Sequence, residues 1–235
     1  MESADQPRTH LGWLLTAMLL PGVAMLLSYY ALPDRFTAPI YTASKALVLA
    51  LPLWLLRPKL RELPACRGKD VALGLTVGAL VGAAALALYW GLLRGTPGFL
   101  TAARAVDVKL DAAYVDTPLR FVLMAVFVCI VNAGLEEYFW RWFAFGELRK
   151  HSGPLAAALV TSLMFGLHHA VVLSKYFDGH PWTVAGLTLG TVLGGVMWCW
   201  MYQARGTLYA GLLSHLVIDV AVMSIAYDML FVSLS

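Results

Sequence analysis

The stretch FVLMAVFVCIVNAGLEEYFWRWF, residues Phe121–Phe143, decides how this chain is read. An apolar run long enough to enter a bilayer abruptly carries Glu136, Glu137 and Arg141. On insertion scales each charge at a helix centre costs about 2.5–3.5 kcal/mol. Either the run is not a membrane span, or its charges serve a purpose that outweighs this cost.

The rest of the chain favours the second alternative. It is 60% hydrophobic and 13% charged over 235 residues. Soluble domains average about 45–50% apolar and about 25% charged. A span needs roughly 20 apolar residues. Segments of that kind recur at Gly12–Leu32, Pro39–Leu56, Val71–Leu93, Thr117–Glu147, Pro154–Leu173, Thr183–Tyr202 and Thr207–Val232. The expected fold is therefore an all-α polytopic membrane bundle of about seven transmembrane helices, one domain over residues 1–235. The first segment lacks a small-residue cleavage site at Leu32-Pro33-Asp34 and reads as a retained span. Between spans three and four, Gly95–Asp116 places Leu100, Ala103, Val106, Leu110 and Ala113 at helical spacing, with charges between them. That pattern fits an interfacial helix; a solvated loop is the alternative.

Several classes are excluded. The net charge is only +3, and the basic residues sit in short loops, so no nucleic-acid partner is expected. Cys66, Cys129 and Cys199 form no CxxC, which argues against a disulfide framework or a zinc knuckle. Arg57, Lys59, Arg61, Arg67 and Lys69 crowd the second loop, Arg149 and Lys150 follow span four, and Arg205 precedes span seven. By the positive-inside rule these loops are cytoplasmic, with the N-terminus inside and the C-terminus outside. Four glycines in span six, Gly186, Gly190, Gly194 and Gly195, suit close helix packing.

The polar residues inside the spans carry the functional signal. Neighbours on a helix diverge by about 100°, so Glu136 and Glu137 point differently. Glu137 and Arg141 are four apart and can pair, while Asn132 and Glu136 form a second stripe. That splits the roles into a structural Glu137 and a chemical Glu136. Span five places Phe165 and His169 on one face, with His168 turned away from it. Span seven places His215 and Asp219 on one face. A single buried histidine is commonly a hydrogen-bonded core residue. A Glu, two His and an Asp on three helices look instead like a site, because intramembrane ionisable groups face the interior and pair or act.

Such a set can hydrolyse a peptide bond without a protein nucleophile. A carboxylate takes a proton from water, a histidine orients that water, and further donors meet a developing oxyanion. Neither HExxH nor GxSxG is present, and Ser214 beside His215 diverges from it.

These residues resemble three motifs of one family. Glu136-Glu137-x-x-x-Arg141, Phe165-x-x-x-His169 and His215-x-x-x-Asp219 look like EExxxR, FxxxH and HxxxN/D of the CAAX protease and bacteriocin-processing (CPBP, or Abi) family. They occur in that order on separate hydrophobic helices, so the resemblance covers the segment from about residue 117 to 235. It implies a glutamic-type intramembrane endopeptidase acting on a membrane-anchored protein or a C-terminal sorting tail. By that analogy Glu136 activates water and His169 assists. His215 and Asp219 line the oxyanion side, with Glu137, Arg141, Phe165 and Asn132 supporting the site.

Two departures stand out: Trp142 where many members have Gly, and Asp219 where members acting on prenylated eukaryotic proteins have Asn. An ionised Asp219 cannot donate to an oxyanion, so it is either protonated there or orients His215 instead. The compact chain and Trp142 resemble bacterial members, implying a bacterial cytoplasmic membrane. The other readings are a non-enzymatic immunity or scaffold protein of the same fold, a proton-relaying transporter, and a zinc-dependent version of the protease. Zinc on Glu136, His169 and His215 would leave no general base, so the expectation is that no metal or other cofactor is required.

Overall fold

In the computed structural model, residues 9–56 and 65–233 are described. They form eight helices and, among the described residues, no strand. In chain order the helices are α1 (Leu11–Ala31), α2 (Thr37–Leu56), α3 (Gly68–Leu93), α4 (Pro97–Ala112), α5 (Pro118–Ser152), α6 (Pro154–Tyr176), α7 (Pro181–Arg205) and α8 (Tyr209–Phe231). All but α4 are long and apolar enough to cross a membrane, which bears out the seven-span reading. The longest, α5, begins at Pro118 behind the Thr117 hydroxyl, which accepts from the Arg120 N–H. It ends at Gly153, whose φ of +79° lets the chain turn directly into α6.

Sequence pattern explains the packing. α1 buries Leu14, Ala17 and Met18 and belongs to the bundle. The aromatic run of α5, Phe139, Trp140, Phe143 and Phe145, joins Phe165 of α6 with Trp198 and Met201 of α7 in the main core. The span-six glycines contribute unequally to close packing. Of those four, only Gly195 meets a neighbouring helix at close range, its added Cβ falling 2.9 Å from Ser162 Cβ; Gly186 and Gly190 have nothing within 4 Å. A second tight seam lies between α3 and α8. There a Cβ on Gly74 would fall 2.7 Å from the Ala210 carbonyl, and one on Gly78 would fall 2.8 Å from Val217 Cβ.

α3 is also tied at both ends. Arg205 Nε lies 2.6 Å from Asp70 Oδ1 at one end. At the other, Asp228 of α8 accepts from Arg94 Nε (2.9 Å) and the Tyr89 hydroxyl (2.7 Å). The first tie holds the end of α7 to α3, and the second fixes α8, the carrier of His215, against it.

Within Gly95–Asp116, Pro97–Ala112 is helical rather than a loop. Phe99, Ala102 and Ala103 of α4 pack with Tyr89, Phe177 and Met229 against the ends of α3, α6 and α8.

Seven crossings put the two ends of the described chain on opposite sides of a bilayer. Arg67, Lys69, Arg149, Lys150 and Arg205 gather at one end of the bundle; Arg57, Lys59 and Arg61 lie outside the described residues. The exposed Cys66 reports on that end. With the basic end cytoplasmic, Cys66 is expected to resist a membrane-impermeant maleimide in intact cells and to react after lysis. Labelling of intact cells would reverse the assignment.

Candidate active site

The site grows from a local irregularity in α5. Two π-helical stretches, Val128–Asn132 and Glu137–Phe145, flank the short α-helical turn Ala133–Glu136. A π turn closes with i→i+5 bonds and re-phases the side chains that follow, which is why such bulges recur at functional positions. Here the re-phasing falls between the two glutamates.

Glu136 is buried, and its two carboxylate oxygens have different surroundings. Oε1 accepts from Asn132 Nδ2 at 3.0 Å and lies 3.5 Å from Lys45 Nζ of α2. Oε2 lies 3.7 Å from His215 Nε2. The Asn132–Glu136 stripe expected from sequence is thus a hydrogen bond. Tyr41, one turn before Lys45, adds its hydroxyl to Asn132 Oδ1 at 3.4 Å. α2 therefore contributes to the site, although its sequence carries no motif.

Glu137 pairs with Arg141, Oε1 to Nη1 at 3.2 Å, as the spacing required. The two side chains are only 2% and 1% exposed, so neither charge has water to fall back on. The guanidinium carbon of Arg141 sits 4.6 Å from the Phe165 ring centroid and 4.7 Å from that of Trp198. This cation–π sandwich holds the charge where its nitrogens find no hydrogen-bond partner among the described residues. Phe165 is thus a face of the Arg141 pocket. Glu137 does more than the expected structural pairing: its Oε1 also lies 2.9 Å from His215 Nδ1. Gly211 makes room for this carboxylate, since a Cβ there would fall 2.8 Å from Glu137 Oε2.

His215 is held on three sides. Its ring stacks on Trp198 at 4.1 Å and 15°, and Trp198 is in turn anchored by Nε1–H to Ser214 Oγ at 3.0 Å. Nδ1 faces Glu137, while Nε2 lies 3.7 Å from both Glu136 Oε2 and Asp219 Oδ1. A hydrogen bond to the carboxylate puts a proton on Nδ1, so Nε2 carries one only in the imidazolium. Sequence offered Asp219 as the group that orients His215. The nearer carboxylate is Glu137, and Asp219 Oδ2 is buried without a hydrogen-bond partner among the described residues.

His169 Nδ1 lies 2.8 Å from the Phe165 carbonyl, which can only accept, so Nδ1 carries the hydrogen and Nε2 is left with a lone pair. This carbonyl is the partner that sequence could not identify for His169. Its neighbour His168, read as turned away, is buried and stacks on Trp140 at an interplanar angle of 3°. The two imidazole centroids are 4.1 Å apart.

The side chains that could hold a metal are accordingly not the expected ones. Ligand atoms of Glu136, His168 and His169 lie within 4.8 Å of one another, whereas His215 stands outside this group. Carboxylate and imidazole donors suit zinc, and the Phe165 carbonyl behind His169 Nδ1 is the backing that ligating histidines have. The donor chemistry therefore fits a divalent ion, which would polarise a carbonyl oxygen and acidify a bound water.

Neither curated proteins nor solved structures gave a match to this chain. A family model did: residues 118–221 match "Type II CAAX prenyl endopeptidase Rce1-like". The matched segment runs from the start of α5 into α8 and contains every residue of the three motifs. Residues 118–221, which carry all three motifs, are therefore an Rce1-like domain, of the same CAAX protease family that the motifs resemble.

Proposed function

We propose that the chain is an intramembrane endopeptidase of the CAAX type, in which Glu136 activates water to cleave a peptide bond near the C-terminus of a membrane-anchored protein. The observation that carries this reading is the asymmetry of the Glu136 carboxylate. Asn132 and Lys45 fix Oε1, while Oε2 faces His215 Nε2. A base held at one oxygen and open at the other is positioned for its task.

In the proposed step, Glu136 Oε2 takes a proton from water and His169 Nε2 accepts a hydrogen bond from the same water, orienting it. The oxygen attacks the scissile carbonyl. His215, as an imidazolium backed by Glu137, donates from Nε2 to the oxyanion. Glu136 then passes its proton to the leaving amine. In this scheme Asp219 balances the charge of His215 rather than donating itself. Terminal-peptide mass spectrometry of membranes from cells with and without the protein tests the reading. Shifted C-termini of membrane proteins are expected; identical C-termini in both would overturn it.

A second reading has its own observation, the Glu136–His168–His169 group. There Glu136 would be a ligand and the site would need another base; Glu137 is committed to Arg141 and His215. The glutamate reading therefore expects cleavage to be unchanged after a chelator is applied and removed. Activity lost on chelation and restored by added zinc would establish the metal reading instead.

A further inference from the structure

α2 contains a single charged residue, Lys45, nine residues into a 20-residue span. A lysine there incurs the same insertion cost as the glutamates. Its ammonium lies 3.5 Å from Glu136 Oε1 with 21% of the side chain exposed, and 5.3 Å from the Tyr41 ring centroid. No motif accounts for it. The charges around it show what it supplies. Glu136, Glu137 and Asp219 bring three carboxylates into a space where Arg141 is taken by Glu137. With Asp219 ionised, and even with His215 as an imidazolium, one negative charge remains uncompensated unless Lys45 is counted.

We propose that Lys45 is the resident cation of this site: it holds and neutralises Glu136, and thereby occupies electrostatically the position a divalent metal would take at Glu136, His168 and His169. It is a positioning residue, acting on the reaction through Glu136. An ammonium 3.5 Å from the Glu136 carboxylate repels an incoming dication, and the repulsion is strong where water is scarce. The same ammonium keeps Oε1 paired, so that Oε2 is the oxygen left for water. This role rests on the protease reading only for its catalytic half; the metal-excluding half stands on the geometry alone.

The test uses the full chain in nanodiscs and titrates Co²⁺ against wild type, Lys45→Met, Lys45→Arg and Lys45→Met with His168→Ala, following visible absorption. Wild type and Lys45→Arg are expected to bind Co²⁺ weakly. Lys45→Met should bind about tenfold tighter or more, since the repelling charge is gone. His168→Ala should abolish that gain, which places the ion at the predicted group. In parallel, a quenched peptide with a prenylated cysteine near its C-terminus measures turnover. Lys45→Met should lower kcat about tenfold with KM changed less than about twofold, and Lys45→Arg should recover part of it. Equal Co²⁺ affinity in wild type and Lys45→Met overturns the proposal, as does tight binding by wild type. A peptide cleaved by neither wild type nor any variant counts against the protease reading, while the Co²⁺ titration still decides the role of Lys45.

Discussion

Glu136→Gln is expected to remove proteolysis while leaving a folded protein in the membrane. The amide keeps the shape of the side chain and can still accept at Oε1 from Asn132, whose amide lies 3.0 Å away. What it cannot do is take a proton from water. A positioned general base contributes about 10²–10⁴ in rate, so cleavage should fall by at least that range. The fold should tolerate the change because the cation released is Lys45, whose side chain is 21% exposed and long enough to reach a wetter position. Turnover of a reconstituted substrate, beside size-exclusion behaviour and thermal unfolding in detergent, checks both halves. Near-normal cleavage by a monodisperse Glu136→Gln protein would remove Glu136 from the mechanism.

The three motifs were legible in the sequence because each is an i,i+4 relation on one helix, and helical phase alone predicts which side chains share a stripe. Seven spans were legible from apolar run lengths, and α4 from its amphipathic spacing. What escaped were relations between distant helices. Glu137 and His215 are separated by 78 positions, and nothing local in either helix states that they meet. Lys45 could be seen as a charge in a span, but not that α2 is the helix facing Glu136. His168 was dismissed on angle; yet imidazoles on adjacent positions reach 4.1 Å between centroids, because a ring extends sideways from its Cα direction. Glu136 and Glu137, as helix neighbours, likewise point in different directions. A single imidazole between them nevertheless faces one glutamate with each ring nitrogen. The π-helical phasing that makes this possible has no residue signature at Glu137–Phe145. α3 carries its own stripe at Gly74, Gly78 and Gly82, but a small-residue stripe does not name its partner helix.

Glu137→Gln is expected to behave in the opposite way to Glu136→Gln, losing stability first. The Glu137 and Arg141 side chains are 2% and 1% exposed at 3.2 Å, and Arg141 is wedged between Phe165 and Trp198 with no route to water. Removing one partner of a buried pair costs about 3–5 kcal/mol, because the other charge stays behind. For a chain of this size that corresponds to roughly 6–20 °C in apparent Tm. The orphaned cation makes the cause separable from the loss of the His215 contact. Adding Arg141→Met to Glu137→Gln removes the stranded charge and should recover most of the lost Tm, since replacing both partners of a buried pair is often close to neutral. Cleavage should nevertheless stay low in the double variant. His215 Nδ1 would face an amide instead of a carboxylate, so the imidazolium that donates from Nε2 loses the counter-charge 2.9 Å away. Recovery of stability without recovery of turnover would establish that Glu137 serves both Arg141 and His215. A Glu137→Gln protein as stable as wild type would show that the ion pair does not hold the helix. A double variant that regained full activity would show that His215 does not depend on Glu137.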